Sequence, residues 1–279
     1  MKAKEIRYNA REAMRGKWPK FVGMNVLLGL ISVIAIIIVL LPIIIQSLSL
    51  VSDVISGNLT SAKYEDITMN MSVAVMGTYV LLLVMYVFII PLSYSFIENV
   101  IKLKRDSSVK ATMFLKNIFK NFGRSWKVAL WTLVKILLMY LIFIAIFIIY
   151  IILTAILSVI NSSILLGILA IVFLVAVFIF EIMFIARLLS LVLAQYIAID
   201  NQDMTAKDCV EKSISLMSGY RWKYIFLNLS FIGWAILSIF TLGIGFLFLT
   251  PYMNVSYVCF YENILKEKKE NNVEVVEVV

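Results

Sequence analysis

Apolar residues along this chain gather in long, nearly unbroken runs at residues 21–45, 71–97, 128–160 and 164–199, with polar or charged stretches between most of them. A helix needs roughly 20 apolar residues to cross the hydrocarbon core of a bilayer, and each run suffices. A fifth apolar region, 224–265, is too long for one crossing. It contains Thr241-Leu242-Gly243-Ile244-Gly245, a turn composition with two glycines, and divides there into 224–242 and 246–265. The pattern predicts an all-α polytopic membrane protein with six transmembrane helices arranged as three tandem hairpins.

Ahead of each hairpin the period changes. In 110–124, Phe114, Leu115, Ile118, Phe119 and Phe122 recur at helical spacing, with Lys110, Lys116, Asn117 and Lys120 on the other face. That is a basic amphipathic helix suited to an anionic leaflet. In 205–218, Thr205 with Asp208 three residues on marks a helix start, and Val210, Ile214 and Met217 form a narrower apolar side. Residues 3–14 are similar, with Ile6, Ala10, Ala13 and Met14 inward. Such segments serve as interfacial anchors or as a docking surface for a partner.

A short phrase joins each amphipathic segment to its run: Gly16-Lys17-Trp18-Pro19-Lys20, Gly123-Arg124-Ser125-Trp126-Lys127 and Gly219-Tyr220-Arg221-Trp222-Lys223. Tryptophan and lysine mark a water–lipid boundary, because the indole settles at headgroup level and the ammonium reaches for phosphate. Trp18, Trp126, Trp222, Lys20, Lys127 and Lys223 therefore read as interfacial anchors. The return runs also end alike, in Glu98-Asn99, Asp200-Asn201 and Glu262-Asn263. Matched beginnings and ends suggest one membrane domain of three quasi-repeats, 1–102, 103–204 and 205–268. Residues 269–279 read as a disordered cytoplasmic tail.

Composition agrees with the runs. Of 279 residues, 62% are hydrophobic and 15% charged, with mean hydropathy +0.99; soluble domains carry roughly 25% charged residues. The net charge of +8 concerns the sides of a bilayer, not nucleic acid. The stretches 1–20, 98–127 and 200–223 and the tail after Tyr261 hold 22 of the lysines and arginines, whereas the alternate connections hold Lys63 alone. By the positive-inside rule both termini are expected in the cytoplasm, with an acidic external loop at 46–70. The first run exceeds a signal-peptide core of about 7–15 residues and reads as a retained span.

Little in the sequence carries chemistry. Histidine is absent, which excludes imidazole bases and histidine metal sites, and Cys209 and Cys259 form no metal-binding or redox spacing. There is no phosphate-cradling glycine loop, nucleophile elbow or zincin motif. Neither an enzyme nor a cofactor or metal is expected. Lys135, Glu181 and Arg187 lie inside apolar runs, where charge is costly and marks function or a specific pairing. Arg187 falls about 20 Å from Asp200 along a continuous helix, and Lys135 is close enough to its boundary to snorkel. Gln195 shares a face with Arg187, and Asn228 and Asn254 are able to meet it. This intramembrane polar seam reads as interhelical hydrogen bonding, as a solute or headgroup cavity, or as a kink at Arg187.

The third unit carries a resemblance. The stretch from Ser213 through Gly219-Tyr220-Arg221-Trp222-Lys223, then Leu227-Asn228-Leu229-Ser230-Phe231-Ile232-Gly233-Trp234, Thr241-Leu242-Gly243-Ile244-Gly245 and Thr250-Pro251-Tyr252 resembles the bacterial integral membrane family known as domain of unknown function 975. The opening Ala10-Arg11 through Gly16-Lys17-Trp18 is similar to that family's N-terminus. The resemblance implies a multi-span protein of the bacterial cytoplasmic membrane and brings no activity or catalytic residues. The expectation is a non-catalytic envelope scaffold or accessory whose basic cytoplasmic face meets anionic headgroups, with a membrane or cytoplasmic protein as possible partner. The alternative is a transporter or channel for a small solute or lipid along the seam at Arg187.

Overall fold

The computed structural model describes residues 2–57, 60–106, 108–160 and 163–277. Among the described residues every regular element is helical. Helix α1 (Ala3–Met14) leads into a long hairpin of α2 (Trp18–Ile55) and α3 (Ser61–Arg105). Helix α4 (Met113–Lys120) leads into α5 (Phe122–Ile160) and α6 (Ser163–Leu191), and the latter resumes after a break as α7 (Ala194–Asp200). Helix α8 (Ala206–Met217) precedes α9 (Arg221–Leu229) and α10 (Ile232–Phe240), which turn back into α11 (Phe246–Glu277).

Five segments are long and apolar enough to cross a membrane: Trp18–Ile55, Lys63–Arg105, Phe122–Val159, Ser163–Asp200 and Arg221–Phe240. They overlie the first five expected spans. The sixth, 246–265, is helical within α11 but is not among them, so length and apolarity support five of the six expected spans. Tyr252, Asn254, Ser256, Glu262 and Asn263 dilute its apolar content. Its neighbours explain why that is tolerated: Val255, Val258, Phe260 and Ile264 are fully buried in protein, and a helix wrapped by protein needs no lipid-facing girdle.

Packing is concentrated at one end. The buried cluster draws on α1, the last turns of α3, α7, α8 and α11. By contrast, no more than 6% of the most apolar window is buried in any of the four long arms, and Ile37, Leu83, Leu141 and Ile171 are bare. Lipid, not protein, must cover those faces. At 1.5 Å per residue the 38 residues of α2 run about 57 Å, well beyond a hydrocarbon core of about 30 Å, so the arm tilts or projects. The expected 46–70 loop is accordingly mostly helix, α2 ending at Ile55 and α3 beginning at Ser61, with Lys63 Nζ 2.6 Å from Asp53 Oδ1 across the connection.

The amphipathic helices face protein. α4 packs on α3, α8 on α5, α6 and α7, and α1 on α11, so the two ends of the chain meet. Ile6, Ala10 and Met14 of α1 are buried, as is Phe114 of α4, edge-on to Phe96 at 5.8 Å. Gly16 and Gly219 adopt positive φ, +74° and +82°, just past α1 and α8, the helix-ending conformation that glycine alone takes without steric cost. Gly123 does not share it, because it already lies in the first turn of α5.

At three places, a proline within a helix and two helix breaks, a side chain takes a carbonyl left without its ladder donor. Pro91 has no N–H for the Val87 carbonyl four residues back, and Trp126 Nε1 donates to it at 3.1 Å. Ser213 Oγ donates to the Ser190 carbonyl at 2.7 Å, the acceptor residue 194 would use in an unbroken helix, and α6 ends there. Arg7 donates to the Ser230 carbonyl at 3.2 Å, where α9 gives way to α10. The 241–245 turn forms as expected: Leu242 and Gly243 have positive φ, and a Cβ on Gly245 would lie 2.7 Å from Ser238 Cα. At the C-terminus, α11 continues to Glu277, into the stretch expected to be disordered; its lysines and glutamates are good helix formers, with no glycine or proline to interrupt them.

Candidate functional site

The ends of α3 and α7 and the second half of α11 converge, and their acids hold them together. Arg105, the last residue of α3, donates from two nitrogens to the Asp200 carboxylate at the end of α7, both at 2.8 Å. Its Nε reaches Glu262 of α11 at 3.2 Å, where Lys104 also binds. A forked guanidinium matches a carboxylate in this way and an ammonium does not. Glu98, with a side chain only 2% exposed, accepts from the amides of Asn117 and Asn121 and from Lys102 at 2.5 Å. The acids of the three acid–asparagine pairs therefore end as helix-to-helix joints.

In the first two copies of the repeated phrase, a cation caps the helix that returns beside it. Lys17 Nζ donates to the Leu103 and Lys104 carbonyls at 3.2 and 3.0 Å. Arg124 donates to the Ala198, Asn201 and Met204 carbonyls at 3.1, 2.7 and 3.2 Å. Lys223 pairs with Glu267 at 3.5 Å over the Tyr220 ring. The last carbonyls of a helix have no intrahelical donor and carry partial negative charge, so a cation there satisfies both.

The tryptophans diverge. Trp18 meets Tyr252 at 6.4 Å, Trp126 bonds α3, and Trp222 is 71% exposed. Lys20 and Lys127 are exposed.

The six seam residues do not form one seam. Lys135 pairs with Glu211 of α8 at 3.4 Å. Asn228 donates to the Tyr224 carbonyl and accepts from the Tyr257 hydroxyl at 2.7 Å. Gln195 lines a cavity of about 410 Å³ beside Trp126 and Leu191. Glu181 is exposed on α6 and Asn254 half-buried on α11. Arg187 is half-buried, and its Nε is fully enclosed with no hydrogen-bond partner.

A strongly basic cavity lies elsewhere, between α4, α5 and the start of α8. It measures about 660 Å³ and is lined by Lys120, Arg124, Lys127, Trp131, Thr205 and Lys207. Thr205 Oγ1 accepts the Asp208 N–H at 3.2 Å and donates to its carboxylate at 2.7 Å. Nearby, burial pushes the Cys209 thiol above its ordinary range, so it is a poor nucleophile. Across the polar end, hydrogen bonds from Ser108 hold Asp106 below the usual carboxylate range. Among the described residues no group of histidine, cysteine or acidic side chains is placed to hold a metal ion. Of these residues, Arg105, Arg124 and Glu98 were the hardest to find from sequence: in a cation-rich stretch nothing distinguishes the arginine that reaches two other helices.

Helices of bilayer length, bare along their arms and joined by polar contacts at one end, make this a multi-pass α-helical membrane protein. The chain belongs to the family described as protein of unknown function (DUF975), which matches residues 1–268. No curated protein and no solved structure matches it.

Proposed function

We propose that the protein is a non-catalytic scaffold or accessory of the bacterial cytoplasmic membrane, with its polar end in the cytoplasm as its working surface. One observation carries this reading. Glu98, Asp200 and Glu262, the acids at the hairpin ends, are all bound to cations or amides of other segments, so the polar end is built as a rigid platform whose acids, among the described residues, are engaged rather than free for acid–base work. The one-sided lysine and arginine distribution supports the cytoplasmic assignment of that end. The packing of α4 on α3, α8 on α7 and α1 on α11 supports three repeated units closed head to tail, each amphipathic helix seated on the hairpin before it.

On this platform α4 turns Lys116, Phe119 and Lys120 outward, a basic and aromatic surface for a protein partner. A photo-crosslinking residue placed at Lys116 or Phe119 in living cells should yield one discrete protein adduct. Recovery of unmodified protein, or of lipid adducts alone, would sink the scaffold reading. The alternative, a pathway for a solute or lipid, draws on the unpartnered Arg187 Nε; it expects Arg187→Leu to abolish a transport phenotype while leaving the α4 adduct intact.

A further inference from the structure

The cavity between α4, α5 and α8 gathers cations from three elements with nothing to neutralise them. Lys120 comes from α4, Arg124 and Lys127 from α5, and Lys207 from α8; no carboxylate lines the space. Arg124 is spent on three carbonyls, but its charge remains, and Lys120, Lys127 and Lys207 have no ion pair among the described residues. Four like charges around about 660 Å³ repel one another unless an anion enters. The backbone adds to the demand. Helix α8 begins at Ala206, and its N-cap threonine satisfies the Asp208 N–H, which leaves the Ala206 and Lys207 N–H groups without an i−4 carbonyl and the positive end of the helix at the cavity wall.

The surroundings identify the kind of anion. Arg124, Lys127 and Trp131 follow one another at helical spacing along one face of α5, and Lys120 of α4 lines the same cavity. Lys207 Nζ lies 5.9 Å from the Trp131 ring centroid. Below Trp131 the same face continues as Val134 and Leu138, 40% and 51% exposed. Cations, then an indole, then a bare aliphatic stripe form the profile of an amphiphile: phosphate, glycerol, acyl chain. We propose that this cavity binds the headgroup phosphate of an anionic phospholipid, with its chains along the stripe below Trp131. The proposal rests on the polar end lying at a leaflet surface, as the reading above has it, but not on any protein partner.

The test uses the full-length protein purified in mild detergent, mixed with phosphatidylglycerol or phosphatidylcholine and examined by native mass spectrometry. Wild type should retain phosphatidylglycerol in preference to phosphatidylcholine. Replacing Lys120, Lys127 and Lys207 together by Gln should weaken that retention by about tenfold or more, at roughly one surface lysine's attraction each. A control with Lys2, Lys4 and Lys269 changed to Gln loses the same charge and should retain the lipid. Should the triple variant fold poorly, Lys207→Gln alone should still show a partial loss, and the triple Lys→Arg variant should keep retention. Equal loss in the control, no loss in the triple variant, or equal retention of phosphatidylcholine would overturn the site. Displacement of the lipid by millimolar inorganic phosphate would show a free-anion site and overturn the lipid assignment. Because no partner is present, failure here leaves the crosslinking test of the scaffold standing, and the reverse also holds.

Discussion

Glu98 shows what one buried acid does in this protein. Its Oε2 accepts from the amides of Asn117 on α4 and Asn121 just past it, both buried, and its Oε1 from Lys102. An unmade hydrogen bond at a buried donor costs about 1–3 kcal/mol, more than the bond itself contributes. Glu98→Ala strands two amides at once and is expected to destabilise the fold by about 2–4 kcal/mol, read as a lower midpoint in detergent-mediated unfolding. Glu98→Gln keeps an acceptor for the amides and should lose less. Equal losses in the two variants would show that the amides are not what the carboxylate serves. In the sequence, Glu98 stands out only for being followed by asparagine, as Asp200 and Glu262 are. The identity of its partners was hidden because Asn117 and Asn121 look like ordinary polar positions on an amphipathic helix.

At the scale of the element, the long helices keep their shape through side chains that replace missing ladder bonds. Trp126 on Val87, Ser213 on Ser190 and Arg7 on Ser230 each meet a carbonyl at a kink or break. The Pro91 position was readable in advance from proline chemistry, and the 241–245 turn from its glycines. The break after Leu191 was not, because Val192 and Leu193 carry no breaking signal and only the hydroxyl of Ser213, 23 residues on, takes the carbonyl. Arg124 works in the same way at the end of α7. Its removal is expected to speed backbone amide exchange across 198–206 by an order of magnitude, the equivalent of about 1.4 kcal/mol of local opening, while the arms of α5 and α6 stay protected. Arg124→Lys should recover only part of this, since an ammonium lacks the planar fork that serves three carbonyls. Unchanged exchange in Arg124→Ala would mean that the α8 packing alone holds the segment.

For the whole molecule, one residue ties three helices. Arg105 ends α3, Asp200 ends α7 and Glu262 lies on α11. The contacts are partly exposed, so each is worth about 1 kcal/mol or less; their value lies in coupling. Arg105→Ala should turn a single unfolding transition into a broader or two-step one in detergent, with fragment-specific proteolysis showing α11 released first. A sharp single transition at an unchanged midpoint would show that apolar packing alone couples the helices. The sequence by itself determined the class, the positions of five spans and the end at which the cations gather. Those properties follow from how each run of residues is solvated, by lipid or by water, independent of its neighbours. It did not show that α11 is sheltered by surrounding helices, and it set Phe114, Val210 and Met217 toward lipid where protein covers them, while Phe119 of the same pattern stays exposed. Only the tertiary structure decided which cation meets which acid, because Arg105 lies 95 residues from Asp200 and 157 from Glu262. A pattern of solvation fixes where each helix runs, but pairings across such separations are set by the packing of the hairpin ends.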